Sequence, residues 1–456
     1  MTKRQTKTLE ASMKRLTVWT CLLVLAYAGT AWSVPQIMTE YGDQTPWLGT
    51  DINAMGGTGS ALYRGGMSNI FNPAFLAKEK SNRLDAGLSL DQEHEDRFQP
   101  LFDTFDNKVT DVAIASNRHH YWQSGFGLAF RDPIIGLPIT FGLSLADRYA
   151  YSYTFDEEVR NPDTSRDSPS PRDAILENRT RKVTGTLRAL SFGVGADVLD
   201  WLSFGGAVHY AYGTRTETQN RNLHYSDLDG VDSRFEQEMS GVNFTLGLRG
   251  KVSERLELGL AYESPLTASG TWSLDYHEAY VDPASNITFE DHFTDSYYRY
   301  PQIIRGGFTF FPQTDPRTVF TVELEYVPWE EFEQSLAGGT TPDAELEQPN
   351  LEKTVDARVG LEHTFYNGIP MRFGFRHFTS YADKEANSTI FTGGTGFPIG
   401  SGLVGISVEI MKITSFQEHQ FPYPEDPSDP TRFPVDEEAR VEDTRFRIGV
   451  SYTVNW

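Results

Sequence analysis

The chain has 456 residues, a formal net charge of −23 and one cysteine, Cys21. That acidic balance argues against nucleic acid as a partner, and a single cysteine excludes a disulfide framework. Past the N-terminus no apolar run reaches the roughly 18 residues of a transmembrane helix, whereas 13% aromatic content, 39 Gly and 24 Pro suit one large all-β domain.

Residues 1–33 read as a secretory signal. Lys3, Arg4, Lys7, Lys14 and Arg15 make the basic region, Leu16 to Tyr27 the apolar region, and Ala26-Tyr-Ala28 or Gly29-Thr-Ala31 offers small residues for cleavage. Cys21 lies within the apolar region, so the exported chain is expected to carry no thiol.

Residues 34–82 do not alternate. They contain Ala54-Met55-Gly56-Gly57-Thr58-Gly59 and then Asn69-Ile-Phe-Asn72-Pro73-Ala74. Clustered glycines permit tight bends and close backbone approach, and Asn-Pro starts a turn or a helix. Directly before the first strand, such a segment is expected to sit inside a barrel as a plug.

From residue 83 the pattern changes to period two, the signature of strands with one apolar and one polar face. Fourteen candidates follow in order. They include Leu84 to Leu90, a long second strand over 108–131, a third running from Ile139 to Phe155, and the pair on either side of Asp200-Trp201. The twelfth is placed near 388–398. The last, Phe446, Ile448, Val450, Tyr452, Val454 and Trp456, alternates with Arg445 and Arg447. Six short connections and seven long ones, near 92–107, 158–180, 215–238, 274–299, 333–351, 380–387 and 415–441, separate them. Apolar residues on one face, charges on the other and an even strand count predict a transmembrane antiparallel β-barrel over 83–456, lipid outside and a wet lumen inside.

Nothing in the sequence reads as catalytic, and no cofactor motif is present. His119 and His120 are neighbours on a strand and face opposite ways, which speaks against a shared metal. Glu93-His-Glu-Asp96 and Glu290-Asp-His292 read as solvated acids in long loops. The lumen face would receive Arg305, Glu323, Glu325, Arg358, Arg372, Arg376, Arg445 and Arg447, together with Arg249, Glu257, Glu263, Glu362 and Glu409. Both signs occur, so the first reading is a salt-bridged girdle that stiffens the wall and grips the plug. The second is that one or two guanidinium groups receive a substrate carboxylate.

The Gly-rich stretch with Asn72-Pro73-Ala74 before the first strand resembles the N-terminal hatch of the FadL/TodX family of outer-membrane transport proteins for hydrophobic compounds. Gly259-Leu-Ala-Tyr-Glu-Ser-Pro265 is similar to that family's Gly-x-x-Tyr-Arg-Ser-Pro stretch, with Glu263 in place of arginine. Tyr300-Pro301 through Trp329-Glu-Glu-Phe332 is similar to its Leu-Pro opening and Trp-x-x-Phe ending. The resemblance implies a monomeric barrel in the outer membrane of a Gram-negative bacterium, in contact with its lipids. It implies passive uptake of hydrophobic small molecules such as long-chain fatty acids, gated by a hatch that includes Met55, Gly56, Gly57, Gly59, Asn72, Pro73 and Ala74. It further implies a lateral gap beside a kinked third strand, and a C-terminal strand ending in Trp456 that the barrel-assembly machinery reads. A barrel of the same broad superfamily that scaffolds surface-protein export is the alternative, and a lipid-active enzyme a distant third.

Overall fold

The computed structural model describes residues 35–44, 48–102, 107–131, 139–160, 174–224, 226–312, 317–339, 348–417 and 438–456. The signal-like residues 1–33, and Pro133 and Pro138 of the turn before the third strand, lie outside the described residues. No helix is long and apolar enough to cross a membrane.

Alternation of side chains drives the chain into one antiparallel sheet that closes on itself. Fourteen strands form it: β1 (Arg83–Phe102), β2 (Lys108–Arg131), β3 (Ile139–Ala150 and Tyr153–Arg160), β4 (Ile175–Leu199), β5 (Leu202–Leu223) and β6 (Leu228–Ser253). They continue as β7 (Leu256–Glu263 and Leu266–Tyr280), β8 (Ile287–Tyr300 and Ile303–Phe310), β9 (Thr318–Val327 and Glu333–Ser335) and β10 (Thr354–Thr364). The last four are β11 (Pro370–Phe378), β12 (Ser388–Ile399), β13 (Gly402–Gln417) and β14 (Ala439–Asn455). Each strand pairs with the next, and β14 returns to β1 in a register from Arg83↔Asn455 to Phe98↔Arg440. The seam ends where the Asn82 and Trp456 backbones exchange hydrogen bonds of 3.1 and 3.0 Å. Closure pairs the first strand with the last, so neither is left as a free edge. The fourteen expected strands are all present, the twelfth included.

The outer face carries the apolar residues. On β5, Phe204, Val208, Tyr210 and Tyr212 are all exposed, as are Val242, Phe244, Leu246 and Leu248 on neighbouring β6. Phe204 to Tyr212 spans about 26 Å along the strand at 3.3 Å per residue, which at a tilt of about 40° covers about 20 Å of the roughly 25 Å height of an outer-membrane apolar band. The inner face carries the charges, as a wet lumen requires.

Three connections expected as long loops are instead strand. β1 continues through Phe102, and the β5–β6 and β7–β8 hairpins turn only at residues 224–227 and 281–286. Glu93-His-Glu-Asp96 and Glu290-Asp-His292 therefore belong to β1 and β8. Glu93, Glu95 and Asp291 are buried inside the ring, while His94 faces out and pairs with Asp96 at 3.3 Å. The reason is physical: above the lipid band both faces of a strand meet water or protein, so the ladder continues after the apolar alternation has stopped.

Candidate functional site

The segment before β1 is a string of single helical turns, Gln36–Met38, Thr50–Asn53, Gly65–Met67, Ser68–Phe71 and Pro73–Lys78. Asn72 caps the last, its Oδ1 accepting from Ala74 N at 3.1 Å with Pro73 at the first helical position. Leu48, Ile52, Met67, Ile70 and Phe71 pack together with Ala146 of β3 as a small core of their own.

This segment meets the inner wall all the way round. Thr50 hydrogen-bonds to Ser451 of β14, Gly56 N donates to Thr392 Oγ1 of β12 at 3.0 Å, and Thr309 Oγ1 of β8 donates to Ala61 O at 2.7 Å. The wall is stripped to glycine where it is touched. A Cβ on Gly247 of β6 would fall 2.0 Å from Asn72 Oδ1, and one on Gly374 of β11 would fall 2.0 Å from Gly56 N. Neither is a distance any real Cβ tolerates. Asn72 Nδ2 lies within hydrogen-bond distance of three carbonyls, Ser60 at 2.8 Å, Leu248 at 2.9 Å and Leu260 at 3.3 Å. One amide thus ties two turns of the segment to two strands. Met55 and Ala74 are fully buried, and Gly57 lies beside the Arg358 side chain.

The lumen charges form chains of ion pairs. Arg148 pairs with Glu263, whose other oxygen accepts from Arg305 at 3.0 Å. Arg305 reaches Glu325 at 2.5 Å, and Glu325 accepts from Arg358 at 2.5 Å. Arg358 reaches Glu323 at 2.8 Å. Glu323 Oε2 then accepts from Gly59 N at 2.8 Å and Ser60 N at 2.6 Å, so the wall network ends on the segment's own backbone. Arg376 binds Asp356 at 2.6 Å, Arg372 binds Glu362 at 2.5 Å, and Arg447 binds Asp91 at 2.6 Å. Arg445 lies 3.3 Å from Asp43 of the segment. Each of the eight named lumen residues is buried and engaged in an ion pair. Among the described residues no group of three or more His, Cys, Asp or Glu is arranged to hold a metal ion.

Between network and segment lies a small cavity of about 50 Å³. Its lining mixes Arg148, Arg305, Arg358, Arg376 and Arg447 with Glu325 and Glu409 and with Leu48, Ile52, Ile70, Phe71, Ile303 and Ile390. Arg148 Nη1 and Arg358 Nε are buried there without a hydrogen-bond acceptor among the described residues. Charged and apolar side chains thus share one small cavity.

A second group of lining residues was not read from the sequence. Above the first, Tyr149, Tyr151, Tyr298, Tyr300, Trp329, Phe332 and Tyr381 crowd around Met38 and Tyr41 of the segment. Tyr149 stacks on Tyr300 at 3.8 Å and Trp329 on Tyr381 at 4.0 Å. The available signal was their parity: on β8, Tyr298 and Tyr300 occupy inward positions where a water-filled lumen would carry polar residues.

The wall is interrupted beside this cluster. β2 and β3 pair from Arg131↔Thr140 only as far as Phe126↔Leu145. Beyond Leu145, β3 pairs with β4 alone, shifts register between Asp147 and Tyr149, and breaks at Tyr151-Ser152. Side chains bridge what backbones do not. Arg188 Nε donates to Asp147 Oδ1 at 2.7 Å, and Arg188 Nη2 to Ser124 Oγ at 3.0 Å. The N-terminal segment takes the vacant partner's place: Asp43 and Ala150 exchange backbone hydrogen bonds of 2.9 and 3.1 Å.

No protein-family model and no curated protein sequence matches the chain. Solved structures do. A FadL homologue of Pseudomonas aeruginosa superposes with a TM-score of 0.63 at 13% identity, covering 91% of this chain and 99% of that one. The toluene transporter TbuX of Ralstonia pickettii gives 0.58 at 17% identity, covering 90% and 98%. The toluene transporter TodX of P. putida gives 0.58 at 14%, covering 91% and 99%. At these identities the likeness speaks for architecture rather than cargo: this chain has the fold of the FadL/TodX outer-membrane transport proteins.

Proposed function

We propose that the chain is an outer-membrane channel for passive uptake of hydrophobic small molecules, with residues 34–82 as its hatch. In this reading the signal over residues 1–33 is removed on export. The barrel-assembly machinery then inserts a monomer through the strand ending in Trp456. The observation that carries the proposal is the interrupted pairing of β3 beside a segment whose Asp43 backbone covers the exposed edge. A barrel that only held a protein partner on its loops would have no use for a wall break backed by a strip of the N-terminal segment held there by one backbone pair. Toluene transporters share the fold, which favours apolar cargo.

The finer reading is a cargo with a carboxylate head, such as a long-chain fatty acid. The mixed lining supports it, because Arg148 and Arg358 keep buried donors without acceptors among the described residues beside Leu48, Ile70 and Phe71, and a shift of the segment would enlarge the cavity of about 50 Å³ between them. A guanidinium suits a carboxylate better than any other side chain does. Movement of Gln36–Asp43 away from Ala150 would then free the β3 edge and let the molecule leave sideways into the membrane.

Mass spectrometry of small molecules extracted from the gently purified barrel tests the proposal, before and after incubation with mixed fatty acids and hydrocarbons. Stoichiometric retention of an apolar compound, weakened by Asn72→Ala, is the expected result. A barrel that stays empty and co-purifies with another protein would overturn it in favour of the scaffold.

A further inference from the structure

Three neighbouring strands are broken at one level, each next to a proline: β7 at Ser264-Pro265, β8 at Pro301-Gln302 and β9 from Pro328 to Phe332. The consequence falls on the seam between β6 and β7. Its register runs to Thr245↔Glu263 and resumes at Ser240↔Ser269, so Gly241–Phe244 and Ser264–Ala268 oppose one another without regular pairs. Proline supplies no N–H to a ladder. Ser264 closes the seam almost by itself. Its N donates to Phe244 O at 2.9 Å, its Oγ accepts from Phe244 N at 3.1 Å, and its carbonyl accepts from Asn243 Nδ2 at 3.1 Å.

Outside this seam the wall is dented. A groove of about 640 Å³ is lined by Val208, Val242, Phe244, Pro265 and Thr267 together with Tyr297 and the Arg299–Glu333 pair. Val208 and Val242 are more than half exposed within the apolar band, so in a membrane the groove opens onto acyl chains. Behind the seam lie Ala211, Met239, Leu266 and Ala268, members of the aromatic cluster that fills the upper lumen. The lumen side of the seam is therefore apolar, and two of these four side chains, Ala211 and Ala268, are small. The β2–β3 break differs in kind, since charged Arg188 and Asp147 seal it.

We propose that the β6–β7 seam at Ser264-Pro265 is a second doorway, through which apolar cargo passes between the aromatic upper lumen and the lipid-filled groove. The inference rests on the transport reading and adds a route to it. A molecule without a polar head gains nothing from the Arg188–Asp147 gate, and on this path it passes Arg299 and Glu333, which are paired with each other at 3.1 Å outside the seam. Opening it requires losing the few hydrogen bonds that Ser264 makes rather than unzipping a ladder.

Two variants of the full chain test the doorway in cells, with uptake of radiolabelled toluene and of radiolabelled palmitic acid as the readout. Ser240→Cys with Ser269→Cys places cysteines on exposed, directly opposed positions, within disulfide reach, and pins the upper lip. Thr267→Trp fills the groove from outside and leaves the lumen untouched. The expected result is loss of toluene uptake in both, restored in the cross-linked chain by reduction. Parental uptake in both variants overturns the doorway and leaves the transport reading standing, as does a loss that reduction does not reverse. A parent that takes up neither compound overturns both.

Discussion

Asp43 and Ala150 are paired backbone to backbone across 107 residues of sequence, and the pair holds the N-terminal segment against the one edge of β3 that β2 leaves open. Ala150 N–H has Asp43 O as its acceptor. Removing residues 35–44 should therefore expose that amide. Hydrogen exchange in detergent micelles should quicken in peptides spanning 147–153 and stay slow in those spanning 141–145, where pairing with β2 persists. Equal protection in both would mean that the edge has another cover.

Gly374→Ala tests the fit of segment to wall. Its Cβ would collide with backbone, Gly56 N at 2.0 Å and Met55 C at 2.4 Å, and backbone cannot swing aside as a side chain can. β11 itself accepts alanine, because Gly374 does not have a positive φ. The barrel should still form, with the segment displaced and a higher ion conductance in planar bilayers. Deletion of residues 54–77 should raise conductance further, and unchanged conductance in both would show that these residues do not plug the lumen.

Glu323→Ala removes the acceptor shared by Gly59 N, Ser60 N and Arg358. Arg358 keeps Glu325 at 2.5 Å, but the buried Gly59 and Ser60 amides lose their acceptor at about 1–3 kcal/mol, so the gel-mobility transition of the folded barrel should move to lower temperature. Glu323→Gln keeps an acceptor and should fall between. If alanine and glutamine behave alike, the charge on Glu323 is immaterial to the grip.

Asn72→Ala deprives three carbonyls of their common donor and the following turn of its cap. Leaving buried polar groups unsatisfied costs about 1–3 kcal/mol. Asn72→Asp should be worse, because it keeps the cap acceptor but turns a donor into a charge facing carbonyl oxygens. Thermal melts of the two variants, alongside ligand retention, should rank them in that order.

The barrel was legible because lipid imposes a strict period on the strands it wets, and Phe446 to Trp456 shows that period without interruption. Strand lengths above the lipid were not legible: Glu93, Glu95 and Asp291 look like loop acids until the ladder around them is known. The charged girdle could be expected from parity alone, but not its partners, since Glu323 gripping Gly59 and Ser60 depends on register between distant pieces of chain. The wall breaks were half legible, as Pro265, Pro301 and Pro328 are plain in the sequence while their alignment at one height is not. The least used signal was glycine. Gly193, Gly205, Gly247, Gly259, Gly307, Gly360 and Gly374 all face inward where the segment passes, and an inward glycine on strand after strand marks a path along which another backbone lies.

The closing seam has a bearing on how such a molecule comes into being. Asn82, which bonds to Trp456 at the end of the seam, directly follows the stretch of chain enclosed by the ring. A hoop cannot be fastened first and then filled with a cord tied to its own clasp, unless the cord is threaded back through an open end. The simplest order of events has the N-terminal turns gathered inside a still-open curved sheet, with β14 meeting β1 around them. The glycine path on the inner wall would then be a mould in which the last step of assembly is cast, and a misfit such as Gly374→Ala would delay closure as well as loosen what is enclosed.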